Sequence, residues 1–388
     1  MPRALRLKTK RLVILGSTGS IGQQTLDVVR ELRDHFEVIG LAAGRNASLL
    51  MEQAREFNPK VIWCEDESAR ADLESACGPG VRWEALEEQA VHPDADLIVV
   101  GTVGKGGLGA TLAALDAGRP VALANKEVLV MAGALVTKAA ARSHGQLLPV
   151  DSEHSAIWQC LWGEKHSSIA RLVLTASGGA FRDYTPERLA QVTPDEALNH
   201  PTWQMGQKIT VDSATLVNKG FEAIESRWLF DVPLEQVEIV LHRESIVHSL
   251  VEFRDGSVKA QLGEPDMRLP IRVALSYPER LPVSTSPFDL ARIGDLHFGP
   301  VDFRRYPALA LTLKAGRRGG TYPAALAAAD EVAVGYFLDG HLGFGDIVNL
   351  LDDALSAHDG GSDTELEAVL EADSWARSYA EDWVRAKV

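Results

Sequence analysis

Two carboxylates two residues apart, Asp151 and Glu153 in Pro149-Val150-Asp151-Ser152-Glu153, directly follow a short apolar run. Residues two apart in extended chain point the same way, so both acids can converge at a strand's carboxyl end, where α/β sheets bind ligands. Carboxylate ligands, unlike Cys or His, favour a hard divalent cation such as Mg2+ or Mn2+. The competing reading is a plain helix start, where an acid in the first turn is common and mildly stabilising.

A second cluster runs from Asp212-Ser213-Ala214-Thr215 through Asn218-Lys219-Gly220-Phe221-Glu222. If the chain is helical from Ala214, Asn218 and Glu222 are i,i+4 neighbours and Lys219 and Glu222 are i,i+3 neighbours. One face then offers an amide, an ammonium and a carboxylate. As structure alone, Lys219 and Glu222 would be an intrahelical ion pair worth about 0.2 to 0.5 kcal/mol. Asn125-Lys126-Glu127 ends another apolar run, which sends Lys126 to the same ligand-binding edge.

A third motif, Gly16-Ser17-Thr18-Gly19-Ser20-Ile21-Gly22, lies between the first apolar run and the first helical pattern. Glycines there permit a tight turn and let the backbone approach a pyrophosphate, which the free N–H groups of a helix start attract. The second run ends in Ala42-Ala43-Gly44-Arg45-Asn46. A dinucleotide site for NADH normally has an acid here, whereas an arginine suits the 2′-phosphate of NADPH. The alternative is a solvated Arg45 beside an Asn46 that caps the next helix.

These residues need elements to position them. The runs Leu12–Leu15, Val38–Leu41, Val61–Trp63, Leu97–Val100, Val121–Leu123 and Leu147–Val150 alternate with helical patterns, and lack polar alternation. Strands buried on both faces read this way, so residues 1–150 predict a Rossmann-like α/β domain with a parallel sheet. Residues 151–276 read as an α+β catalytic domain: a helix from Ser152 to Trp162, a strand from Arg171 to Thr175, a helix over 214–229, then strands at Val237–Leu241, Ile246–Phe253 and up to Leu262. Between them Ser177 to Gln207 is rich in Gly, Pro and polar residues and reads as a flexible lid. Proline-rich residues 277–306 predict a linker, and 307–388 a C-terminal helical bundle.

Composition narrows the class. The 388 residues carry 39 Lys plus Arg against 54 Asp plus Glu, a net charge of -15 that repels a phosphate backbone and argues against nucleic acid as a partner. No apolar run approaches the roughly 18 to 20 residues of a membrane span. The basic leading residues, among them Arg3, Arg6 and Lys8, read as a solvated tail, because the following apolar run is too short for a signal sequence. Cys64, Cys77 and Cys160 are odd in number and widely spaced, which fits a reducing, cytoplasmic setting without disulfides or zinc.

Taken together, the glycine loop, Leu123-Ala124-Asn125-Lys126-Glu127, Leu148-Pro149-Val150-Asp151-Ser152-Glu153-His154, Val211 through Gly220, and Gln261-Leu262-Gly263-Glu264-Pro265-Asp266-Met267-Arg268 closely resemble the 1-deoxy-D-xylulose-5-phosphate reductoisomerase family along nearly the whole chain. The resemblance implies a homodimeric, NADPH-dependent oxidoreductase and isomerase of isoprenoid biosynthesis, with a metal, Mg2+ or Mn2+, that polarises the substrate carbonyl. It implies Asp151, Glu153 and Glu222 as metal ligands, and Lys126 and His200 among the catalytic residues. Substrate contacts would come from Lys126, Ser152, Glu153, Ser177, His200, Trp203, Ser213, Asn218 and Lys219. Thr18, Gly19, Ser20, Ile21, Gly44, Arg45, Asn46, Asn125, Glu127 and Gly206 would line the cofactor. Arg45 stands where many relatives have lysine, and Asp330 where they commonly have asparagine. Competing readings are a simple NADPH dehydrogenase of a phosphorylated small molecule, with structural acids, and a regulatory protein that senses NADPH.

Overall fold

The computed structural model describes residues 9–78, 80–282 and 288–387. Arg3, Arg6 and Lys8, and the linker residues 283–287, lie outside the described residues. The chain divides into two compact units: Met1–Asn125, Lys138–Asp151 and Met267–Pro282 in one, and Lys126–Thr137, Ser152–Asp266 and Val283–Val388 in the other.

The first unit is built on seven strands: β1 (Lys10–Leu15), β2 (Phe36–Ala43), β3 (Val61–Cys64), β4 (Arg82–Trp83), β5 (Leu97–Val100), β6 (Val121–Leu123) and β7 (Leu147–Pro149). Their order is β4-β3-β2-β1-β5-β6-β7, and every pair is parallel. Leu12 to Leu15 are wholly buried, as expected where helices cover both faces. The two-residue β4 left no mark in the sequence, because so short a strand has no period to read. Helix Ser20–Glu31 follows β1, and the order reverses between β1 and β5, the switch point at which such sheets bind ligands. Helix Arg268–Ser276 also belongs to this unit, held by Arg272 on Glu31 and by the Lys10 ammonium on the Leu275 carbonyl at 2.6 Å.

The second unit has a five-stranded sheet, β11-β10-β8-β9-β12, made of β8 (Ile169–Ala176), β9 (Val237–His242), β10 (Val247–Phe253), β11 (Val258–Leu262) and β12 (Phe298–Pro300). Only β8 and β9 run parallel; the other pairs are antiparallel. Leu172, Leu174 and Val251 on the sheet share a core with Ile157 of helix Ser152–Leu161 and Ala223 of helix Val217–Phe230. Helices Pro307–Arg318, Tyr322–Leu338, Phe344–Ala357 and Leu366–Lys387 supply most of a further core.

One expectation needs correction, and two segments hold more regular structure than their sequence displays. The helix read from Ala214 begins at Gln207 and is broken at Leu216, whose left-handed φ of 60° separates Gln207–Thr215 from Val217–Phe230. The apolar side chain of Leu216 hides such a break from the sequence. Within Ser177–Gln207, helices Pro186–Leu189 and Pro194–Ala197 are each capped by a threonine, Thr185 and Thr193, and Phe181, Val192 and Ala197 are core residues. These helices are too short for a helical period to emerge. The linker likewise contains a short helix, Leu290–Ile293, and β12.

Candidate active site

The glycine loop is a backbone cradle that side chains would fill. Gly16 has φ +88°, and a Cβ there would lie 2.6 Å from the Gly101 carbonyl oxygen; one on Gly22 would lie 2.3 Å from that of Gly16. Gly16 and Ser17 donate their amides to Ala42 O, each at 2.8 Å, so the loop is anchored to the end of β2. Gln53 fixes Ser17 by two hydrogen bonds, at 2.8 and 2.9 Å. Gly19 N-caps the helix without a side-chain partner, and Ser20 and Ile21 form its first turn. At the end of β2, Asn46 accepts from Leu49 N at 3.1 Å, so the capping role suggested by the sequence is real. Arg45 is exposed and has no ion pair among the described residues. Asn125 is buried after β6 and donates to Thr102 Oγ1 at 3.1 Å and Gly104 O at 2.9 Å. Glu127 and Gly206 belong to the second unit.

The acids and ammonium groups are joined through helices Ser152–Leu161 and Val217–Phe230. Lys219 donates to Glu153 Oε1 at 2.7 Å and also to Glu222 Oε2. It is therefore more than the partner of one carboxylate on its own helix. Burial pulls the Lys219 ammonium down, but Glu153 and Glu222 together push it above the usual lysine range. Asn218 donates to Glu222 Oε1 at 2.6 Å and accepts from Lys126 Nζ at 2.6 Å. Lys126 begins a helix that packs closely on the same wall: a Cβ on Gly133 would lie 2.2 Å from Trp228 Cδ1. Ser152 donates to Glu153 Oε2.

Asp151 precedes Ser152 by one peptide bond. A carboxylate oxygen of Glu153 lies within 4.8 Å of one of Glu222. Carboxylates so grouped fit a hard divalent cation. Next to Glu153, His154 places its Nδ1 3.5 Å from Glu225 Oε2. His154 is completely buried, and its Nε2 is within 2.9 Å of the Glu222 carbonyl and 3.0 Å of Ser226 Oγ, bracing the helices that carry Glu153 and Glu222.

On the lid, His200 Nδ1 accepts from Thr202 N at 3.2 Å and Trp203 N at 3.0 Å. Its Nε2 therefore carries the proton and donates to Ser177 Oγ at 3.0 Å. Burial, aided by the charge of Arg182, depresses the imidazole to about 4 and keeps it neutral at pH 7. Gly178 and Gly179 have φ of +84° and +70°, and a Cβ on Gly179 would lie 2.4 Å from Ser213 O, so this turn sits hard against helix Gln207–Thr215. Ser213 Oγ donates back to Ile209 O at 2.9 Å. Trp203 faces His248 of β10, with ring centroids 5.9 Å apart. Burial lowers the pKa of His248, an effect Glu153 opposes. His154 and His248 were not assigned roles from the sequence; the only signal was that His154 directly follows Glu153.

Burial pushes the Cys77 and Cys160 thiols up to about 11, and all three cysteines are free. Among the described residues no helix is long and apolar enough to cross a membrane.

Comparison with known proteins gives a consistent result. The family profile described as 1-deoxy-D-xylulose 5-phosphate reductoisomerase matches residues 12–133, and two profiles of its C-terminal domains match 147–230 and 262–379. The reductoisomerase of Pelotomaculum thermopropionicum is 50% identical over 97% of this chain and 99% of its own. That of Geobacillus kaustophilus is 51% identical over 95% and 98%. The solved Zymomonas mobilis enzyme in complex with NADPH superimposes with a TM-score of 0.90 at 40% identity, covering 97% and 99%. A reductoisomerase in complex with NADPH, fosmidomycin and magnesium gives 0.92 at 38% identity, covering 97% and 98%.

Proposed function

The chain belongs to the 1-deoxy-D-xylulose 5-phosphate reductoisomerase family, and from that premise we propose how its residues divide the work. The enzyme converts 1-deoxy-D-xylulose 5-phosphate to 2-C-methyl-D-erythritol 4-phosphate in isoprenoid biosynthesis, with NADPH as reductant and Mg2+ as metal. The observation that carries the assignment of roles is the convergence of Glu153 and Glu222, from separate helices, on one lysine beside Asn218 and Lys126.

In this reading Asp151, Glu153 and Glu222 ligate the metal. Bound Mg2+ supplies Lewis-acid polarisation of the substrate oxygens, and bound NADPH supplies hydride to the rearranged carbon skeleton. Lys126 and Ser152 orient the substrate backbone, and the neutral His200 directs its Nε2 proton toward Ser177 and the substrate. Ser177, Ser213, Asn218 and Lys219 hold the phosphate end. Trp203 covers the substrate and, with the lid, excludes water, which strengthens each charged contact beneath it. Thr18, Gly19, Ser20, Ile21, Gly44, Arg45, Asn46, Asn125, Glu127 and Gly206 are assigned to the dinucleotide.

The proposed domain assignment is a dinucleotide-binding region at 1–150, a catalytic and dimerisation region at 151–276 whose last helix, Arg268–Ser276, packs within the first unit, a linker at 277–306 and a helical region at 307–388. A homodimer is supported by the sheet edge at β11, where Val258 is 53% exposed, since an unpaired edge invites a second copy. A cytoplasmic location is supported by three free cysteines.

Incubating the protein with 1-deoxy-D-xylulose 5-phosphate, NADPH and Mn2+, with and without chelator, tests the reading. It requires NADPH oxidation and methylerythritol phosphate formation that chelator abolishes. Metal-independent oxidation would instead indicate a simple dehydrogenase.

A further inference from the structure

Away from the acids described above, the second unit contains a buried charge cluster on which four helices meet. Lys208, in the first turn of helix Gln207–Thr215, places its Nζ 2.7 Å from Asp212 Oδ2, 2.8 Å from Asp330 Oδ2 and 3.5 Å from Glu127 Oε1. The ammonium also lies 4.9 Å from the centre of the Phe221 ring, next in the chain to Glu222. The stem of Lys208 is part-exposed, but its charged end is buried; Asp212 and Asp330 are 2% and 0% exposed. Burying charge is expensive unless each ion is compensated, so a cluster like this strongly specifies one arrangement of the elements that carry it.

We propose that Lys208 is a positioning residue for the cofactor: through Asp212, Asp330 and Glu127 it locks Gly206 and Glu127 into the places from which they meet the dinucleotide. Gly206 is the N-cap of the helix that holds Lys208, and its carbonyl is taken by Thr210 N at 3.1 Å and Thr210 Oγ1 at 2.7 Å. Lys208 is thus two residues along the chain from one cofactor residue and directly paired with the other. On the opposite side Asp330 belongs to Tyr322–Leu338, a core helix of the C-terminal bundle, so the clamp ties the end of the lid to the helical core of the unit. Burial raises both Asp212 and Asp330, and the charge of Asp330 raises Asp212 further. The Lys208 ammonium opposes this rise at both carboxyls. Glu331, next in the chain, is instead paired with Arg377.

This inference rests on the reading that Gly206 and Glu127 line the NADPH site, and the experiment separates the two. Lys208→Met keeps the stem and removes the charge; Asp330→Leu removes the acceptor, and Asp330→Asn keeps one acceptor for Lys208 and adds a donor for Asp212. Two measurements are made on each: NADPH affinity by fluorescence titration, and amide hydrogen exchange of residues 206–212 without cofactor. Lys208→Met and Asp330→Leu should weaken NADPH about tenfold and accelerate exchange at 206–212, and Asp330→Asn should restore both to within about twofold of wild type. Should Lys208→Met fail to fold, the Asp330 pair decides alone. Variants that lose thermal stability yet keep wild-type NADPH affinity and exchange would overturn the proposal and leave Lys208 a stabilising residue only. Failure of the wild type to bind NADPH would overturn the cofactor reading instead, while the exchange data would still report whether Lys208 holds Gly206.

Discussion

Lys126 donates to the side-chain oxygen of Asn218 at 2.6 Å across 92 residues of sequence, and the amide nitrogen of Asn218 passes on to Glu222 at 2.6 Å. The asparagine is thus an oriented bridge, accepting from an ammonium and donating to a carboxylate. Asn218→Asp would keep the shape, lose the donor to Glu222 and set two acids side by side. Because partners that orient a metal ligand typically change affinity by about 10- to 100-fold, Asn218→Asp should weaken Mg2+ binding by that order. Calorimetry with Mg2+ checks it; wild-type affinity would mean that Glu222 needs no orienting partner.

Arg45 is exposed beside a cradle that fits a pyrophosphate, with no competing ion pair among the described residues. Its guanidinium is available to a 2′-phosphate, and a hydrogen bond to a charged group is worth about 1.5 to 3 kcal/mol. Arg45→Ala should raise the dissociation constant for NADPH by about one to two orders of magnitude and leave that for NADH nearly unchanged. Parallel titrations with both cofactors measure this, and an equal loss for both would remove Arg45 from the 2′-phosphate site.

How far the sequence could be read follows from how local each signal is. The six apolar runs became strands of one sheet because burial on both faces leaves an uninterrupted imprint, and Asn218, Lys219 and Glu222 share a helix as their spacing predicts. That Lys219 reaches Glu153 as well was beyond local reading, since the partner lies 66 residues away on another helix. The break at Leu216 and the short lid helices had no periodic trace. Asp330, noted in the sequence only as an unexplained departure, lies against Lys208, a partner that only the tertiary fold brings to it.

His200 gives a pH dependence whose sign can be worked out. Its folded-state value of about 4 lies below the ordinary 6.5, so the unfolded or undocked segment binds a proton more readily than the docked one. The docking contribution is complete above pH 6.5 and is lost as pH falls from 6.5 toward 4. Protease protection of residues 198–206 should therefore decline across that window in the wild type, with no such window in His200→Gln, which cannot titrate there. Protection that stays constant down to pH 4 in the wild type would count against a buried, neutral imidazole.

Gly179 combines a positive φ with a backbone approach no side chain allows, its hypothetical Cβ being 2.4 Å from Ser213 O. Gly179→Ala must shift the turn that carries Ser177 away from Ser213, two of the proposed phosphate contacts. A strained left-handed residue costs about 1 to 3 kcal/mol, and the clash adds to this. Urea denaturation should show a loss of at least that order, and KM for the phosphorylated substrate should rise. Unchanged stability and KM would show that the turn adapts without moving Ser177.

Glu222 tests the metal assignment most directly, because it stands between two ammonium groups, Lys219 and Lys126, whose charges could account for it without any metal. If it is only their counter-ion, Glu222→Gln should lower stability and leave Mg2+ affinity intact. If it is a ligand, Glu222→Gln keeps the shape and removes a negative charge that lies within 4.8 Å of Glu153, so metal affinity and turnover should fall by at least about tenfold. NADPH affinity serves as the internal control, since Glu222 is not among the residues assigned to the dinucleotide and its carboxylate is engaged by Asn218, Lys219 and Lys126. Calorimetry with Mg2+ and fluorescence titration with NADPH, run on the same preparation, distinguish these outcomes. Full metal affinity and metal-dependent turnover in the variant would reduce Glu222 to an ion-pair partner and leave Asp151 and Glu153 without their third ligand.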